Sequence, residues 1–388
     1  MPRRRDVLYC VGVFAACRIV FSLIGVLGIT STIQPPSALS VSPGPHGPVV
    51  GTGTEVPATP GLHNVVDASV RWDATWFIAI AEDGYDDAAS GAFFPGFVSA
   101  TRAVDVATPL GATGSALLVS NVSFLLALLV LFRLTVEEYD ERVARRAIAL
   151  LAFFPTSFFF VAPYSESTYL LCSVVAFAAA RQGRWGLSGV SGAVAAIVRN
   201  IGITMAPALL VERYEQRRDR RSGASWIAPA GPLIGFLAVV GWFALFDIVV
   251  SPLRAQEVWH RQTVNPLISL GRGIGIGARA IGDASWIPEA IDVLIVLPPL
   301  VLLVAYWRRL PAHSYAVLVA LGFLLPLTFT VDARPLLSLP RFVITLFPLA
   351  WLAALATDSR VRFRLVLGVS FVGWVTASLA FVNWRFVA

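Results

Sequence analysis

The chain has 388 residues, of which 56% are hydrophobic and 14% are charged, and its mean hydropathy is +0.72. This composition excludes a soluble globular domain and predicts a polytopic membrane protein, because about 20 apolar residues cross a bilayer as a helix. The net charge of +6 is distributed along the chain and forms no single basic patch, so no nucleic-acid partner is expected.

Nine apolar segments predict an all-α membrane protein with about nine transmembrane helices, a single domain over 1–388. The predicted spans are 8–30, 114–134, 146–162, 164–181, 226–250, 291–307, 314–331, 341–357 and 364–382. A further apolar stretch, 187–211, is interrupted by Arg199 and Asn200, and neither half is long enough to cross alone. We expect a re-entrant or broken helix pair there, since irregular backbone at membrane depth is tolerated only where protein or water covers it.

The distribution of arginine predicts the orientation. With the N-terminus in the cytoplasm, the inner segments hold 19 of the 30 basic residues, and the outer segments hold nine basic and 14 acidic residues. This arrangement places three loops outside: 31–113, 251–290 and 332–340. We expect an integral protein of the plasma membrane whose active site faces outwards. The first span has no A-x-A-like cleavage site, so it is expected to be an anchor.

The first outer loop contains two contrasting segments. Residues 34–60 are rich in Pro, Gly, Ser and Thr, which predicts a flexible insert. Residues 66–82 predict one amphipathic helix with Gly84 at its C-terminal cap. Its tryptophans, Trp72 and Trp76, are expected at the level of the lipid headgroups, so the helix should lie in the membrane interface.

Asp73 is the leading candidate for a catalytic general base. A carboxylate flanked by tryptophans beside a membrane favours chemistry on a lipid-borne substrate. Asp83 lies ten residues further on, about 15 Å away along one helix, so the two cannot form a close carboxylate pair. The alternative is that Asp73 only caps a helix or pairs with Arg71.

Glu166 is the second catalytic candidate. It lies at the outer junction of two predicted spans, where an ionisable side chain is costly unless it is satisfied or functional. The alternative is a structural one: Pro163 and Ser165 mark a helix start, where the helix dipole stabilises an acid.

Several cations are candidates for binding a substrate phosphate, since the planar guanidinium donates paired hydrogen bonds to phosphate. They are Arg254, His260 and Arg261 in the second outer loop, and Arg334 and Arg341 around the third. Arg341 is best placed, at the mouth of a span; the alternative is ordinary snorkelling to the interface. Arg199 is expected to contact either a structural partner or a ligand.

No metal site is expected. The four histidines (His46, His63, His260 and His313) have no metal-ligand spacing. The three cysteines (Cys10, Cys17 and Cys172) lie in apolar runs, which predicts buried thiols.

With these residues in view, the chain resembles the PIG-V-like mannosyltransferases, multi-span enzymes of the GT-C glycosyltransferase superfamily. Four blocks in the family's order carry the resemblance: Trp72-Asp73 through Gly84-Tyr85 with Phe93-Phe94-Pro95, Phe154-Pro155-Thr156 with Pro163 through Ser167, Arg184-Trp185 through Arg199, and Leu339 through Phe342. There are two departures. Gly96-Phe97-Val98 stands where the family often has Leu-Tyr-Pro, and Asn200-Ile201-Gly202 where it often has Pro-Thr-Gly.

The resemblance implies transfer of mannose from a polyprenyl- or dolichyl-phosphate donor to a lipid-linked or glycan acceptor on the outer face. Asp73 matches the family's catalytic acidic position, and Trp72, Trp76 and Tyr85 of the same block are expected to contact substrate. No cofactor is implied beyond the donor as co-substrate. The expected partners are membrane lipid, donor and acceptor, and a small partner subunit is left open.

Two other classes of function remain open from the residues alone. A secondary transporter also uses broken helices and buried charges at the membrane midplane. A lipid or glycolipid flippase, or a structural subunit of a glycan-assembly complex, is the other class. Either should tolerate the change Asp73→Asn, whereas the enzyme should not.

Overall fold

The structure is a computed structural model that describes residues 4–29, 39–42, 49–52, 61–218, 226–246, 250–283, 285, 287–385 and 387. The helices, in chain order, are α1 (Arg4–Leu27), α2 (Asn64–Asp67), α3 (Asp73–Asp83), α4 (Pro95–Ala107), α5 (Gly111–Glu138), α6 (Glu141–Ala152), α7 (Glu166–Arg181), α8 (Trp185–Val198), α9 (Met205–Arg218), α10 (Gly231–Phe246), α11 (Pro252–Val258), α12 (Pro266–Ala278), α13 (Ile287–Tyr306), α14 (His313–Thr328), α15 (Leu339–Thr345), α16 (Pro348–Ala356) and α17 (Arg360–Val382). Four short strands form two antiparallel pairs, β1 (Leu39–Ser42) with β2 (Val49–Thr52) and β3 (Gln262–Thr263) with β4 (Phe329–Thr330). The predicted all-α fold class is confirmed.

Among the described residues, five helices are long and apolar enough to cross a membrane, and a bent pair would make a sixth. The five are α1, α5, α10, α13 and α17, and the pair is α15 with α16, bent by 81°. Helices occupy all nine predicted spans, but α6 has only 12 residues and α7 and α14 have 16 each. The number of spans therefore stays a prediction.

Proline shortens one of the predicted spans. The segment 146–162 was expected to be continuous, but α6 ends at Ala152 and the chain turns at Pro155 into a short 3-10 helix, Ser157–Phe160. Proline disfavours helical backbone in the residue before it and removes a backbone donor, which explains the break. After this turn the chain lies beside the start of α15, where the Thr156 hydroxyl donates to the carbonyl oxygen of Pro340.

Small residues allow the central helices to pack closely. A Cβ atom on Gly235 of α10 would lie 2.2 Å from the carbonyl oxygen of Ala193 in α8, so only glycine permits this approach. Ala127 of α5 and Ala147 of α6 are fully buried in the same core. Dispersion contacts between closely spaced helices stabilise membrane bundles, which lack a hydrophobic driving force inside lipid.

The predicted single helix over 66–82 is wrong. The chain forms α2, leaves helical geometry over residues 68–72 and restarts as α3 at Asp73. Arg71 holds this break: its guanidinium is buried and donates to the carbonyl oxygens of Asp67, Val70 and Val382. A buried arginine that satisfies three carbonyls fixes the backbone more firmly than helix propensity could.

The predicted contact of Trp76 with the lipid headgroups is also wrong. Trp76 is 1% exposed and packs on the rings of Phe93 and Trp259, at centroid distances of 5.7 and 6.2 Å. Both faces of α3 are covered, because α4, α5 and the loop before α4 pack around it. Amphipathic periodicity therefore marked a helix buried in protein, not one lying on lipid.

Eight residues of 34–60 lie in two strands, and the flexible character of this insert stays a prediction. β1 and β2 form an antiparallel hairpin in which Leu39 faces Thr52 and Val41 faces Val50. Valine-containing segments favour extended backbone, and pairing satisfies their polar groups. The remaining positions of 34–60 lie outside the described residues.

The predicted broken helix at 187–211 is confirmed. Helix α8 ends at Val198, Arg199 is extended, a 3-10 helix covers Asn200–Thr204, and α9 follows. A Cβ on Gly202 would lie 2.4 Å from the Cα atom of Ala196, so glycine lets the 3-10 turn fold back against α8.

The β3–β4 pair joins the predicted second outer loop to the residues just before the predicted third outer loop. Arg334 anchors the third loop, because its Nε and Nη2 atoms donate to the two carboxylate oxygens of Asp292 at 2.6 and 2.8 Å. These contacts bring the segment after α11 close to the start of α15, which carries Arg341.

Candidate active site

A cavity of about 100 Å³ lies where α3, α7, α11 and α15 meet the break after α8. Its lining combines charged, amide, hydroxyl and aromatic side chains: Asp73, Phe77, Ala92, Phe93, Phe94, Ser165, Val198, Arg199, Asn200, Gln256, Trp259, Arg261, Ser338, Arg341 and Phe342. A small polar cavity with aromatic walls fits a sugar headgroup better than an apolar ligand.

Asp73 is the first residue of α3, and its side chain is 17% exposed. The preceding Trp72 has φ 55° and ψ −123°, a sparsely populated backbone conformation that costs about 1–3 kcal/mol and is commonest at functional sites. One Asp73 carboxylate oxygen accepts from Nη1 of Arg341 at 2.5 Å. The helix dipole also favours a negative charge at this end of α3. The carboxylate is thus paired with Arg341, oriented and open to the cavity.

Arg341 lies at the centre of the site and is 7% exposed. Its Nε and Nη2 atoms both contact Oε1 of Glu166 at 2.8 Å. The guanidinium also lies 5.0 Å from the ring centre of Phe159 and 4.9 Å from that of Tyr164, and such cation–π contacts stabilise a buried cation. Arg341 is therefore held inside the protein and does not extend to the membrane surface.

Glu166 begins α7 and is fully buried below the cavity lining. Besides Arg341, it pairs with Nη1 of Arg199 at 2.7 Å. The same Arg199 nitrogen donates to the hydroxyl of Ser165 at 3.0 Å, and the guanidinium lies 4.8 Å from the ring of Phe342. Glu166 thus bridges two arginines and positions them, while Asp73 is the carboxylate that reaches the cavity.

Arg261 supplies the remaining charge of the site. It lines the cavity and, within the described part of the chain, its guanidinium has no hydrogen bond or ion pair. Burial lowers the pKa of Arg261 from its ordinary value, and the charge of Asp73 acts in the opposite direction. Two carboxylates (Asp73, Glu166) and three arginines (Arg199, Arg261, Arg341) leave one net positive charge. A site with one excess cation fits a phosphate-bearing substrate.

Three residues that were predicted to contact substrate, Trp72, Trp76 and Tyr85, do not line this cavity. Trp72 packs edge-on against Trp384, and Trp76 lies behind the cavity wall. Tyr85 donates to the carbonyl oxygen of Phe93 at 2.7 Å and lines a separate cavity of about 610 Å³ between α3, α4 and α10. Substrate contact by these three residues stays a prediction, and the first cavity offers it no support.

Arg254 and His260 are also outside the lining. Both are exposed on or just after α11, whereas Arg261, in the same segment, points into the cavity. His260 has φ 52°, so the chain turns sharply between His260 and the preceding Trp259. Their role as phosphate ligands stays a prediction as well.

Sequence reasoning missed several residues of the cavity. Gln256, Trp259 and Ser338 were not singled out, although an amide, an aromatic ring and a hydroxyl are common in sugar sites. Trp259 is fixed by donation from its indole nitrogen to the carbonyl oxygen of Ala89 at 3.0 Å. The one available signal was its adjacency to His260 and Arg261. Among the described residues, no group of three or more His, Cys, Asp or Glu side chains is arranged to hold a metal ion.

Comparison with known proteins decides the family. Residues 13–216, more than half of the chain, match the family described as Mannosyltransferase (PIG-V). The chain belongs to the PIG-V mannosyltransferase family. The match includes Asp73, Glu166 and Arg199, whereas Arg261 and Arg341 lie beyond it.

Individual relatives are similar to shorter parts of this PIG-V family member. GPI alpha-1,6-mannosyltransferase 2 of Mus musculus is 32% identical over 180 residues, 44% of this chain and 36% of the relative. The Cricetulus griseus protein of the same name is 31% identical over 178 residues, 43% of this chain and 35% of the relative. The matched part thus spans about a third of the length of these relatives.

The fold is also similar to that of a solved structure, ArnT from Cupriavidus metallidurans bound to undecaprenyl phosphate. The TM-score is 0.48 at 14% sequence identity, with 97% of this chain and 76% of the other chain covered.

Proposed function

We propose that this protein is a membrane mannosyltransferase that moves mannose from a polyprenyl- or dolichyl-phosphate donor to a hydroxyl of a lipid-linked or glycan acceptor. The observation that carries the proposal is the pairing, in one cavity, of a solvent-accessible carboxylate at Asp73 with an unpaired cation at Arg261. Glycosyl transfer from a lipid phosphate needs both a base for the acceptor and a cation for the leaving group.

In the proposed reaction Asp73 accepts the proton of the acceptor hydroxyl. The hydroxyl oxygen forms a bond to the anomeric carbon of the sugar, and the bond from that carbon to the phosphate oxygen breaks. The electron pair leaves with the lipid phosphate, and a single displacement of this kind inverts the anomeric centre. Arg341 and the start of α3 hold the Asp73 carboxylate in its orientation before the acceptor binds.

Arg261 is the residue we assign to the departing phosphate. Arg199 and Arg341 already neutralise Glu166 and Asp73, whereas the charge of Arg261 is uncompensated. Protein cations thereby offset the developing negative charge, so no metal is required for this step. We expect transfer to persist after divalent ions are chelated.

The proposed site lies on the outer face of the plasma membrane, with the N-terminus in the cytoplasm. The excess of arginine at the opposite end of the bundle supports this orientation through the positive-inside rule. Nucleotide sugars are confined to the cytoplasm, so an outward-facing site suits a lipid-linked donor. Mannose as the sugar is supported by the family to which the chain belongs.

The test is transfer of label from polyprenyl-phosphate-[³H]mannose to an endogenous lipid or glycan in membranes that contain the protein. We expect a labelled product that is absent from membranes with Asp73→Asn. Labelled GDP-mannose, supplied to washed membranes, should give none. If the Asp73→Asn protein forms the same product at the same rate, the proposal fails. If no product forms but labelled lipid crosses the bilayer of reconstituted vesicles, the protein is a flippase instead.

A further inference from the structure

A second polar cavity, of about 540 Å³, lies at the opposite end of the protein from Asp73. It is lined by Glu141, Arg142, Arg145, Arg146, Asp358, Arg360, Phe363 and Arg364. Helix α17 connects the two ends: it begins at Arg360, and its last residue, Val382, accepts a hydrogen bond from Arg71, two residues before Asp73. Its 23 residues extend over about 34 Å, the thickness of a bilayer core.

This cavity has an excess of positive charge. Arg145 pairs with Glu141 at 2.6 Å and with Asp6 at 3.3 Å. Arg146 donates to the carbonyl oxygen of Thr357 and lies 5.3 Å from the ring of Phe363.

Three arginines of the cavity remain free in the described structure. Arg142, Arg360 and Arg364 are exposed, and within the described ranges their guanidinium groups form no ion pair or hydrogen bond. Asp358 is engaged by Arg362 at 3.2 Å. These three arginines therefore have no hydrogen-bond or ion-pair partner for their guanidinium groups among the described residues.

Helix geometry strengthens the positive potential. Both α6 and α17 begin at the cavity, so the positive ends of two helix dipoles point to it. Cations in the first turn of a helix are unfavourable by themselves, and five arginines line a cavity between two such first turns. An anion held between the two helix ends offsets the repulsion among the arginines and the repulsion between the arginines and the helix dipoles.

A separate apolar groove lies next to the cavity, further along α6 and α17. One turn beyond Arg146 on α6 it is lined by Leu150, and just beyond Phe363 on α17 by Val366 and Ser370. The other walls come from α13, α15 and α16, and the groove measures about 140 Å³. Val366 is 41% exposed, so the groove is open towards lipid on the α17 side.

We propose that this combination is a binding site for an anionic phospholipid of the leaflet opposite the candidate active site. The phosphate of the headgroup is held by Arg142, Arg360 and Arg364, and one acyl chain lies in the groove between α6 and α17. Basic pockets between membrane helices that continue into an apolar cleft match this class of ligand. The site is independent of the proposed transfer reaction.

Charge complementarity favours this occupant over two others. A free phosphate would satisfy the arginines but leave the apolar groove unfilled. The prenyl chain of a donor would fill the groove but leave the three cations without an anion, since its phosphate is expected beside Arg261 at the other end. A two-chain anionic lipid satisfies both parts together.

The proposal is tested with the purified full chain by measuring binding of phosphatidylglycerol and phosphatidylcholine in detergent and by native mass spectrometry of retained lipid. The variant Arg142→Gln/Arg360→Gln/Arg364→Gln should weaken phosphatidylglycerol binding by about 10²-fold, because three charge-assisted contacts are lost. A matched control, Arg133→Gln/Arg308→Gln/Arg309→Gln, removes three exposed arginines outside the cavity and should bind phosphatidylglycerol as the unmodified chain does.

A second pair of variants tests the groove. Ser370→Phe fills it and should reduce retained phosphatidylglycerol, whereas Gly368→Phe, whose side chain enters open space on the same helix, should not. Equal retention in the triple-glutamine and control proteins overturns the proposal. Unchanged lipid retention in Ser370→Phe, with inorganic phosphate binding in the cavity, identifies a free-anion site instead. Loss of mannosyl transfer in Ser370→Phe with normal phospholipid retention assigns the groove to the donor.

Discussion

At the residue scale, exposure separates the two carboxylates of the site. Asp73 and Glu166 both pair with Arg341, yet only the side chain of Asp73 lies in the cavity lining. A general base must reach the proton that it abstracts, so we assign the proposed base to Asp73 and a positioning role to Glu166. Ion pairs with arginine hold both carboxylates in place.

Asp73→Asn is expected to lower the turnover of sugar transfer by about 10²–10⁴-fold with little effect on abundance. The amide has the same size and cannot accept the proton, and Arg341 keeps its contacts with Glu166. The measurement is initial transfer rate in membranes normalised to protein amount. Asp83→Asn, an exposed acid at the other end of α3, is the matched control and should be active. A mutant with more than about half of normal turnover removes Asp73 from the base role.

Arg341 is expected to tolerate neither alanine nor lysine, for two different reasons. Arg341→Ala leaves buried Glu166 and Asp73 without a shared cation, which costs about 3–5 kcal/mol and should lower abundance. Arg341→Lys keeps a charge but cannot bridge two carboxylates, so Asp73 loses its orientation. We expect the lysine protein to accumulate normally and to show reduced kcat with a nearly unchanged KM for the donor.

The control for this pair is Arg334→Lys, which changes another buried arginine that grips a carboxylate outside the cavity. It should leave the donor kinetics of the folded fraction unaltered. A raised donor KM in Arg341→Lys, with kcat preserved, would mean that Arg341 binds the phosphate directly.

Arg261→Gln is expected to raise the KM for the lipid-phosphate donor by at least about tenfold, because the uncompensated cation of the cavity is lost. Arg254→Gln removes a charge from the same segment, seven residues earlier and outside the lining, and serves as the control. Steady-state rates over a range of donor concentrations give the donor KM of each variant. Identical donor KM values for both variants contradict the assignment of Arg261.

At the element scale, breaks between helices place the charged groups. Arg199 occupies the extended residue between α8 and the following 3-10 turn, and Asp73 follows the break after α2. A continuous helix at either place would direct these side chains along its own surface, away from a common centre. Thr156, after the break at Pro155, donates to the carbonyl oxygen of Pro340 and thereby fixes the start of α15 beside the site.

Gly202→Ala is expected to destabilise the protein by about 1–3 kcal/mol and to reduce transfer. The added Cβ would lie 2.4–2.7 Å from backbone atoms of Ala195 and Ala196, so the turn after Arg199 must move. Gly186→Ala, in α8 with open space around it, is the control and should be neutral or slightly stabilising. Thermal unfolding in detergent measures both. Equal midpoints for the two variants show that the turn tolerates a side chain.

At the scale of the whole molecule, the two ends of the bundle carry different charges and different sites. The Asp73 end holds a compact ion-pair network with one excess cation, and the opposite end holds the arginine-lined cavity. Helices α1 and α17 extend between the ends, as shown by the contact of Asp6 with Arg145 at one end and of Asn383 with Gly28 at the other. This polarity suits a membrane protein that works at one surface only.

The orientation is tested by cysteine labelling in intact cells. Glu257→Cys on α11 should react with an impermeant maleimide, whereas Asp358→Cys before α17 should react only after the cells are permeabilised. Both positions are exposed, so they differ in the side of the membrane and not in burial. The unmodified chain gives the background: Cys10 and Cys17 are buried as predicted, whereas Cys172 is only half-buried. If only Asp358→Cys is labelled in intact cells, the orientation of the chain in the membrane is the opposite of the predicted one.

The sequence by itself determined the class of protein, the position of most helices and the identity of the central charged residues. The positions of the helices follow from hydrophobic runs and prolines, which are local features of the sequence. Asp73, Glu166, Arg199 and Arg341 were identifiable because ionisable residues are rare in apolar surroundings and must be satisfied there.

The tertiary structure decided how those residues are used. Glu166 and Arg341 are 175 positions apart in the sequence. No local sequence pattern could show that Arg341 donates hydrogen bonds to both Glu166 and Asp73. The tertiary structure also showed that protein covers the Trp76 side chain, because amphipathic periodicity records that one face of a helix is buried and not whether lipid or protein covers it. The proposed role of Arg261 likewise depends on which charges around it are already paired, a property of the folded arrangement alone.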